Sequence, residues 1–247
     1  MSAYIEKAEP VTLPVIALRG TVAFPKMTIN FEAGDESAAT AAKAAAASSS
    51  FLFLTSYNEY LDNSEEIEFP FYRFGTVVRI KQMIRTPEGQ TRIIAEGMVR
   101  ATVSRYRTIL GYTEADLICK HVNLPDNGGV RGEAAVSEML RAAEKNMRLL
   151  PAESSDLLNT IRTIKDPGAL ADFIAAHILV RPIDKQAILE CIDPFARAEI
   201  LLSILAEEAV VMEEESLIRK RVSARMNRHQ KEYYLREQIK VIQEELG

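Results

Sequence analysis

The sequence predicts an α+β fold in which a strand-rich N-terminal domain precedes an α-helical bundle that ends in a long C-terminal helix. Up to about residue 121, short runs rich in Val, Ile, Thr and aromatic residues alternate with turns, which is typical of an antiparallel sheet. The segment Asp126-Asn127-Gly128-Gly129 is a strong turn signal, and helical spacing dominates after it. Neither Gly nor Pro occurs from Phe195 to Leu246, which indicates one uninterrupted helix.

Composition excludes several classes of protein. The chain has 247 residues, of which 47% are hydrophobic and 26% charged, so it suits one or two folded domains and not a disordered segment. No apolar run approaches the roughly 20 residues of a membrane span, and the N-terminus lacks the pattern of a secretory signal. The two cysteines form neither a disulfide framework nor a metal-ligand motif. We therefore expect a cytoplasmic protein with no membrane partner and no metal.

The first domain, residues 1–125, contains seven predicted strands and one helix. The strands cover residues 12–18, 28–31, 51–55, 72–84, 90–95, 99–106 and 112–122, with a break at Gly97. The helix covers residues 37–47, begins with Ser37 as a capping residue, and consists almost entirely of Ala. This order of elements predicts a small barrel or folded sheet.

The sequence disfavours nucleic acid as a partner, although residues 72–107 carry eight Arg or Lys against two Glu. Arg79, Lys81 and Arg85 alternate with apolar residues, which favours the solvated face of a half-exposed sheet. No aromatic residue occurs between Gly75 and Ser104 on which a base could stack. The net charge of −5 also disfavours a polyanionic partner.

The remaining predicted parts are a linker at 126–132, a helical bundle at 133–193, and a long helix at 194–247. The bundle contains helices at 133–150, before 166, at 168–179 and at 184–191. Asp193 and Pro194 supply an N-cap acceptor and a first-turn proline for the last helix. A helix of this length extends beyond a small domain.

Two apolar stripes follow one another along the last helix. At about 100° per residue, Val211, Ile218, Met226, His229 and Tyr233 fall within about 40° of Val222, and we expect this first stripe to pack on the preceding helices. Leu235, Ile239, Ile242 and Leu246 lie roughly 200–260° from Val222, so the helix changes partners near Tyr234. The second stripe is interpreted as an assembly face that contacts another subunit or a following module.

No catalytic motif is present in the chain. It lacks a phosphate-binding Gly-x-x-x-x-Gly-Lys-Ser/Thr loop, a Gly-x-Ser-x-Gly elbow and a His-Glu-x-x-His metal pair. The chain does have large apolar side chains in segments that are predicted to be turns, namely Phe24, Met27, Phe69 and Phe71. These side chains either plug the core or form a surface that binds apolar segments of another protein.

Two regions of the chain resemble bacterial Lon proteases. The N-terminal match is Leu13-Pro14-Val15-Ile16-Ala17-Leu18-Arg19-Gly20 with Val22-Ala23-Phe24-Pro25-Lys26-Met27, followed by Gly75-Thr76-Val77 and Glu96-Gly97. The string Tyr233-Tyr234-Leu235-Arg236-Glu237-Gln238 is similar to the segment that leads from the Lon N-terminal region toward its ATPase module. The resemblance covers essentially the whole chain.

This resemblance implies a PUA-like pseudo-barrel domain followed by a helical bundle. It further implies that the parent polypeptide is a hexameric, ATP-dependent serine endopeptidase, with ATP and Mg²⁺ used in a module outside this chain. The fragment itself would have no active site and no cofactor, and would capture unfolded or tagged protein substrates. The alternative is a free-standing adaptor or regulator that uses a similar strand-rich domain to bind a ligand or partner.

Overall fold

The computed structural model describes residues 4–6, 10–59, 61, 67–87, 90–122, 124–148 and 155–246. The strands in these residues are β1 (Tyr4–Glu6), β2 (Val11–Leu18), β3 (Thr28–Ala33), β4 (Phe51–Ser56), β5 (Phe74–Arg85), β6 (Thr91–Ile109) and β7 (Tyr112–Val122). The helices are α1 (Glu36–Ala47), α2 (Gly129–Met147), α3 (Ser155–Thr163), α4 (Pro167–His177), α5 (Pro182–Glu190) and α6 (Pro194–Leu246). The predicted order of a strand-rich part followed by helices and one long helix is present.

The strands form one sheet that closes on itself through β7. Their order is β1-β7-β2-β4-β5-β6-β3, and β7 also pairs with β6. Strands β2 and β4 are parallel, while the other pairs are antiparallel. Because β7 contacts β2 on one side and β6 on the other, five strands complete a ring that has the predicted pseudo-barrel character.

Strand β6 is continuous where the sequence predicted two strands separated at Gly97. Val77 pairs with Val99 and Val78 with Gly97, so Met98 is an extra residue that bends β6 without ending it. Gly97 is needed here because a Cβ atom would collide with the carbonyl oxygen of Phe24. The glycine therefore marks a close backbone approach within a strand.

Helix α1 lies against the sheet, but its cap differs from the predicted one. The side chain of Asp35, not of Ser37, accepts a hydrogen bond from the backbone N–H of Ala38 at 2.7 Å. Ala41, Ala42 and Ala45 are fully buried in one apolar cluster with residues of β2, β4, β5 and β6. Small side chains let this helix approach the sheet closely, as its composition suggested.

The sheet connects to the bundle through a tight turn, and α2 begins four residues earlier than predicted. Asp126, Asn127 and Gly128 all have positive φ, which turns the chain directly into α2 at Gly129. Gly132 is buried, and a Cβ atom there would collide with the Asn127 carbonyl oxygen. At the start of α6, the predicted cap is present, since Asp193 Oδ1 accepts hydrogen bonds from the N–H groups of Phe195 and Ala196 at 2.9 Å.

Helix α6 has a buried first part and an exposed second part. Leu201, Leu205 and Ala209 belong to the bundle, whereas every residue from 217 to 245 is exposed. The prediction that the first apolar stripe packs on the preceding helices is therefore wrong, because Val222, for example, is 52% exposed. The 53 residues of α6 extend about 80 Å, while the 19 of α2 extend about 28 Å, so the bundle ends before the stripe begins.

Along the described residues, no helix has the length and apolar character needed to cross a bilayer.

Candidate functional site at the junction of sheet and bundle

A buried ionic cluster joins the sheet to the bundle. Arg100 of β6 donates two hydrogen bonds to the carboxylate of Asp172 on α4, at 2.9 and 2.5 Å. Arg197 of α6 donates to the same carboxylate at 3.1 Å. Arg100 also reaches the carbonyl of Leu189, and Arg197 those of Gly168, Cys191 and Ile192. One strand and three helices or their ends therefore meet at one carboxylate.

Two further hydrogen bonds near this cluster connect β5 to α5 and to the loop between β2 and β3. Gln186 Nε2 of α5 donates to the carbonyl of Phe74 on β5 at 3.1 Å. Within the sheet part, the hydroxyl of Thr76 donates to the carbonyl of Ala23 at 2.7 Å, which fixes the loop between β2 and β3. Because buried polar groups are costly when they lack partners, these bonds favour one arrangement of sheet and bundle.

Phe24 and Met27 lie at this junction, and Phe24 is not a surface residue. Its side chain is only 2% exposed and belongs to the same apolar cluster as α2, α4, α5 and α6. The expectation that Phe24 presents an apolar surface to a partner is corrected by this burial: the side chain anchors the loop after β2 to the bundle. Met27 is half-buried and packs against the edge of the same cluster.

Phe69 and Phe71 lie apart from Phe24 and Met27, in an aromatic cluster with Tyr57 and Tyr106. Ring centroids in this cluster are 5.0 to 6.3 Å apart, in stacked, tilted and edge-on arrangements. Burial raises the pKa of Tyr106, whose hydroxyl donates to the carbonyl of Tyr72 at 2.7 Å. Phe69, Phe71 and Tyr57 are half-buried, so the cluster shields part of each ring and leaves part accessible.

Between these two places runs a groove formed by two small cavities, which we call the junction groove. One cavity has a volume of about 240 Å³ and is lined by Tyr57, Tyr72, Pro182 and Ile183, among others. The other has about 210 Å³ and is lined by Phe24, Met27, Ala176 and His177, among others. Gly20 lines both cavities. Of the four predicted substrate-binding residues, Phe24 and Met27 line the second cavity. Phe69 and Phe71 line neither cavity, although Phe71 contacts Tyr57, which lines the first.

Polar groups border the junction groove on the α5 side. Lys185 donates a hydrogen bond from Nζ to the carbonyl of Ala176 at 3.0 Å, and burial lowers the pKa of its ammonium group. Arg181 donates to Asp184 at 2.6 Å. His177 stacks on Phe173 with ring centroids 4.2 Å apart. The groove therefore offers polar side chains, such as Lys185 and His177, beside apolar ones such as Met27.

The predicted assembly residues lie on the exposed part of α6. Tyr234, Leu235, Ile239 and Ile242 are each about half or more exposed, and the side chain of Leu246 lies outside the described residues. None of the four described side chains lines the junction groove. Among the described residues, no group of three or more His, Cys, Asp or Glu side chains could hold a metal ion.

Comparison with known proteins decides the family. A family model described as the ATP-dependent protease La (Lon) substrate-binding domain matches residues 12–207. The chain belongs to this family. The Lon proteases of Brevibacillus choshinensis and Clostridioides difficile are 36% and 38% identical to it, each over 95% of this chain. The chain spans about 30% of the length of each of these relatives.

Two solved structures confirm the fold. The N-terminal domain of Mycobacterium avium complex Lon protease matches 79% of this chain and 98% of its own, with a TM-score of 0.60 and 23% identity. A Lon N-terminal domain protein from Xanthomonas campestris matches 78% of this chain and 98% of its own, with a TM-score of 0.55 and 16% identity. The fold expected from the resemblance is thus the fold of this Lon-family chain.

Sequence reasoning missed the Arg100–Asp172–Arg197 cluster. A signal was present at Asp172, which is the one charged residue in the otherwise uncharged run from Gly168 to Ala176. Arg100 belongs to the basic stretch on β5 and β6, which the sequence assigned as a whole to a solvated face. Arg79 and Lys81 of this stretch do lie on such a face, where both pair with Glu96. One charged side chain of the stretch is buried, and spacing along a strand does not identify which one.

Proposed function

We propose that this chain is the substrate-recognition and assembly region of an ATP-dependent Lon-type serine protease of the cytoplasm that degrades misfolded and regulatory proteins. The family match and the relatives of more than three times its length support this proposal. In this proposal ATP and Mg²⁺ act in an ATPase module, and peptide bonds are cut in a peptidase domain, both outside the 247 residues. The chain itself binds and positions the substrate.

The junction groove is the proposed binding site for unfolded or tagged protein segments. Its two cavities, of about 240 and 210 Å³, are each smaller than the roughly 300–1,000 Å³ of pockets for drug-sized ligands. They suit single side chains, and their shared residue Gly20 places them side by side. An extended polypeptide could insert two apolar side chains while its backbone lies over Gly20. This pair of adjacent small cavities, which share Gly20 and offer apolar side chains such as Met27 and Ile183, is the observation that carries the proposal.

Ile183 is the residue with which to test the groove, because it lines one cavity and is 44% exposed. Replacing Ile183 by Ser should weaken binding of a fluorescently labelled, permanently unfolded protein about fivefold, since about 1 kcal/mol of apolar contact is lost. Met27 and Phe71 suit this test less well, because both are half-buried and their replacement would also change stability.

The matched control is Val130→Ser, which removes another β-branched side chain that is 85% exposed and lies outside the groove, on α2. This control should bind the unfolded protein as the unchanged chain does. If Ile183→Ser binds normally, or if both variants lose affinity equally, the groove is not the binding site.

For assembly, we propose that the exposed part of α6 forms a coiled-coil contact with another subunit or with the following module of a hexameric parent. Its apolar side chains continue at spacings of three and four residues at Leu235, Ile239 and Ile242, which is the pattern of a helix-packing seam. The alternative of a free-standing adaptor has less support, because relatives with at least 36% identity over 95% of the chain are Lon proteases.

A further inference from the structure

A third cavity lies at the junction, beside the ionic cluster and outside the junction groove. Its volume is about 360 Å³, which lies within the range of ligand pockets. It is open to solvent on one side and bordered by β6, β7, the loop after β2, and the first turns of α4 and α6. None of its lining residues lines either cavity of the groove. We call it the cationic cavity because of the charges described next.

The lining carries more positive than negative charge. Four cationic side chains line the cavity, namely Lys26, Arg100, Lys120 and Arg197, against the two carboxylates of Asp166 and Asp172. The chain as a whole has a net charge of −5, so this is a local reversal of sign. A concave site with an excess of one charge and poorly polarisable walls concentrates its field and attracts counter-ions.

Both carboxylates are already committed to the protein. Asp172 accepts hydrogen bonds from Arg100 and Arg197, so one buried negative charge faces two buried positive charges. Asp166 caps α4 by accepting from the N–H of Ala169 at 2.7 Å. Burial, the largest cause, lowers the pKa of Arg197, and the charge of Asp172 opposes this effect. The two arginines and one aspartate of the cluster therefore keep a net positive charge, and their burial limits how far water can hydrate it.

Lys26 adds a charge at the cavity on a constrained backbone. Its φ of 62° lies in the left-handed region, which is unfavourable for a residue other than Gly. The turn is held by hydrogen bonds from Lys26 N–H to the Gly97 carbonyl and from Gly97 N–H to the Met27 carbonyl, both at 2.8 Å. In the described part of the chain, the Lys26 ammonium has no ion-pair partner.

We propose that the cationic cavity binds an oxyanion, either a phosphate ion or a carboxylate side chain of a bound polypeptide, with Lys26 as a direct contact. Such a ligand brings the negative charge that the two arginines and one aspartate lack. Met98, Val122 and Leu124 provide an apolar wall beside the charges, which suits the methylene groups of a Glu side chain. The site is separate from the junction groove, so it does not depend on substrate binding there.

The test uses Lys26→Gln, which removes the charge and keeps a side chain of similar length on the same backbone. The control is Lys43→Gln, an equal charge change at an exposed position on α1. Two probes are titrated by calorimetry at constant ionic strength: inorganic phosphate, and a capped tetraglutamate peptide. We expect saturable binding of at least one probe to the unchanged chain and to Lys43→Gln, with affinity at least fivefold lower in Lys26→Gln.

The pattern across probes identifies the source of the oxyanion. Binding of phosphate alone supports a free phosphate ligand, and binding of the peptide alone supports an acidic polypeptide segment. Absence of saturable binding for both probes would overturn the proposal. An equal loss of affinity in Lys26→Gln and Lys43→Gln would also overturn it, because binding would then reflect overall charge. Circular dichroism melts of each variant verify that the fold is intact.

Discussion

The first and second parts of α6 carry similar apolar spacing in opposite environments. Leu201 and Leu205, four residues apart, are completely buried in the bundle. Leu235 and Ile239, also four residues apart, are 47% and 56% exposed. The comparison shows that helical spacing defines which side chains share a face, whereas the partner of that face depends on which elements lie beside it.

Charged pairs differ between the same two regions. Asp172 is buried between two arginines at the junction, while Glu232 accepts a hydrogen bond from Arg228 at 3.1 Å on the exposed surface of α6. Removing one partner from a buried pair leaves a desolvated charge, whereas water replaces the partner in an exposed pair. Similar pairs in these two regions should therefore have very different effects on stability.

The largest effect is expected from Asp172→Ala, which leaves two buried guanidinium groups facing each other. We expect the free energy of unfolding in urea to fall by about 3–5 kcal/mol. The control Glu232→Ala should change it by less than about 1 kcal/mol. Equal effects of the two substitutions would show that the junction cluster does not join the sheet to the bundle as described.

The apolar faces of α6 provide the next comparison. Leu205→Ala should lower the free energy of unfolding by about 2–5 kcal/mol, because it leaves a cavity in the bundle. Ile239→Ala should leave the stability of the isolated chain nearly unchanged, since the side chain is exposed and Ala favours helix.

Glu substitutions on α6 separate folding from assembly. Replacing Ile218 and Val222 by Glu should leave the melting temperature nearly unchanged, contrary to what the stripe alone predicted, because both side chains are exposed. Replacing Leu235 and Ile239 by Glu should also spare the isolated chain, yet weaken assembly of the longer protein measured by sedimentation. A large drop in melting temperature for either pair would contradict the exposed position of this part of α6.

The smallest effect concerns Glu208, which lies where α6 leaves the bundle. Burial raises the pKa of its carboxyl group, an effect that the charges of Arg181 and Lys185 only partly offset. The folded state thus binds this proton more tightly than the unfolded state, so stability falls as the pH rises from the ordinary carboxyl range through the raised pKa. Glu208→Gln should remove this fall and raise the melting temperature at pH 7 by roughly one or two degrees.

The control for Glu208 is Glu207→Gln on the exposed side of the same turn. Melting curves from pH 4 to pH 8 should show a gain for Glu208→Gln that shrinks toward acid pH, whereas Glu207→Gln, at an exposed position, should change the melting temperature little. Identical profiles for the two variants would exclude a special environment for Glu208.

Local sequence patterns were sufficient to predict most of the secondary structure. Alternating apolar residues identified the positions of six of the seven described strands, and the Asp193-Pro194 pair located the start of α6. The family resemblance was equally accessible, since it rests on short motifs in the chain. Errors at α1, α2 and Gly97 arose where a cap, a tight turn or a bulge depends on backbone geometry that residue type alone does not define.

What the sequence by itself determined is the order of strands and helices and the existence of two apolar stripes on α6, because propensity and periodicity act over a few neighbouring residues. The tertiary structure decided that Phe24 is buried, that Arg100 and Arg197 both bind Asp172, and that α6 extends beyond the helical bundle. The ionic cluster, for example, depends on contacts between residues 25 and 72 positions apart, from Asp172 to Arg197 and to Arg100. A repeat of three or four residues carries no information about such partners.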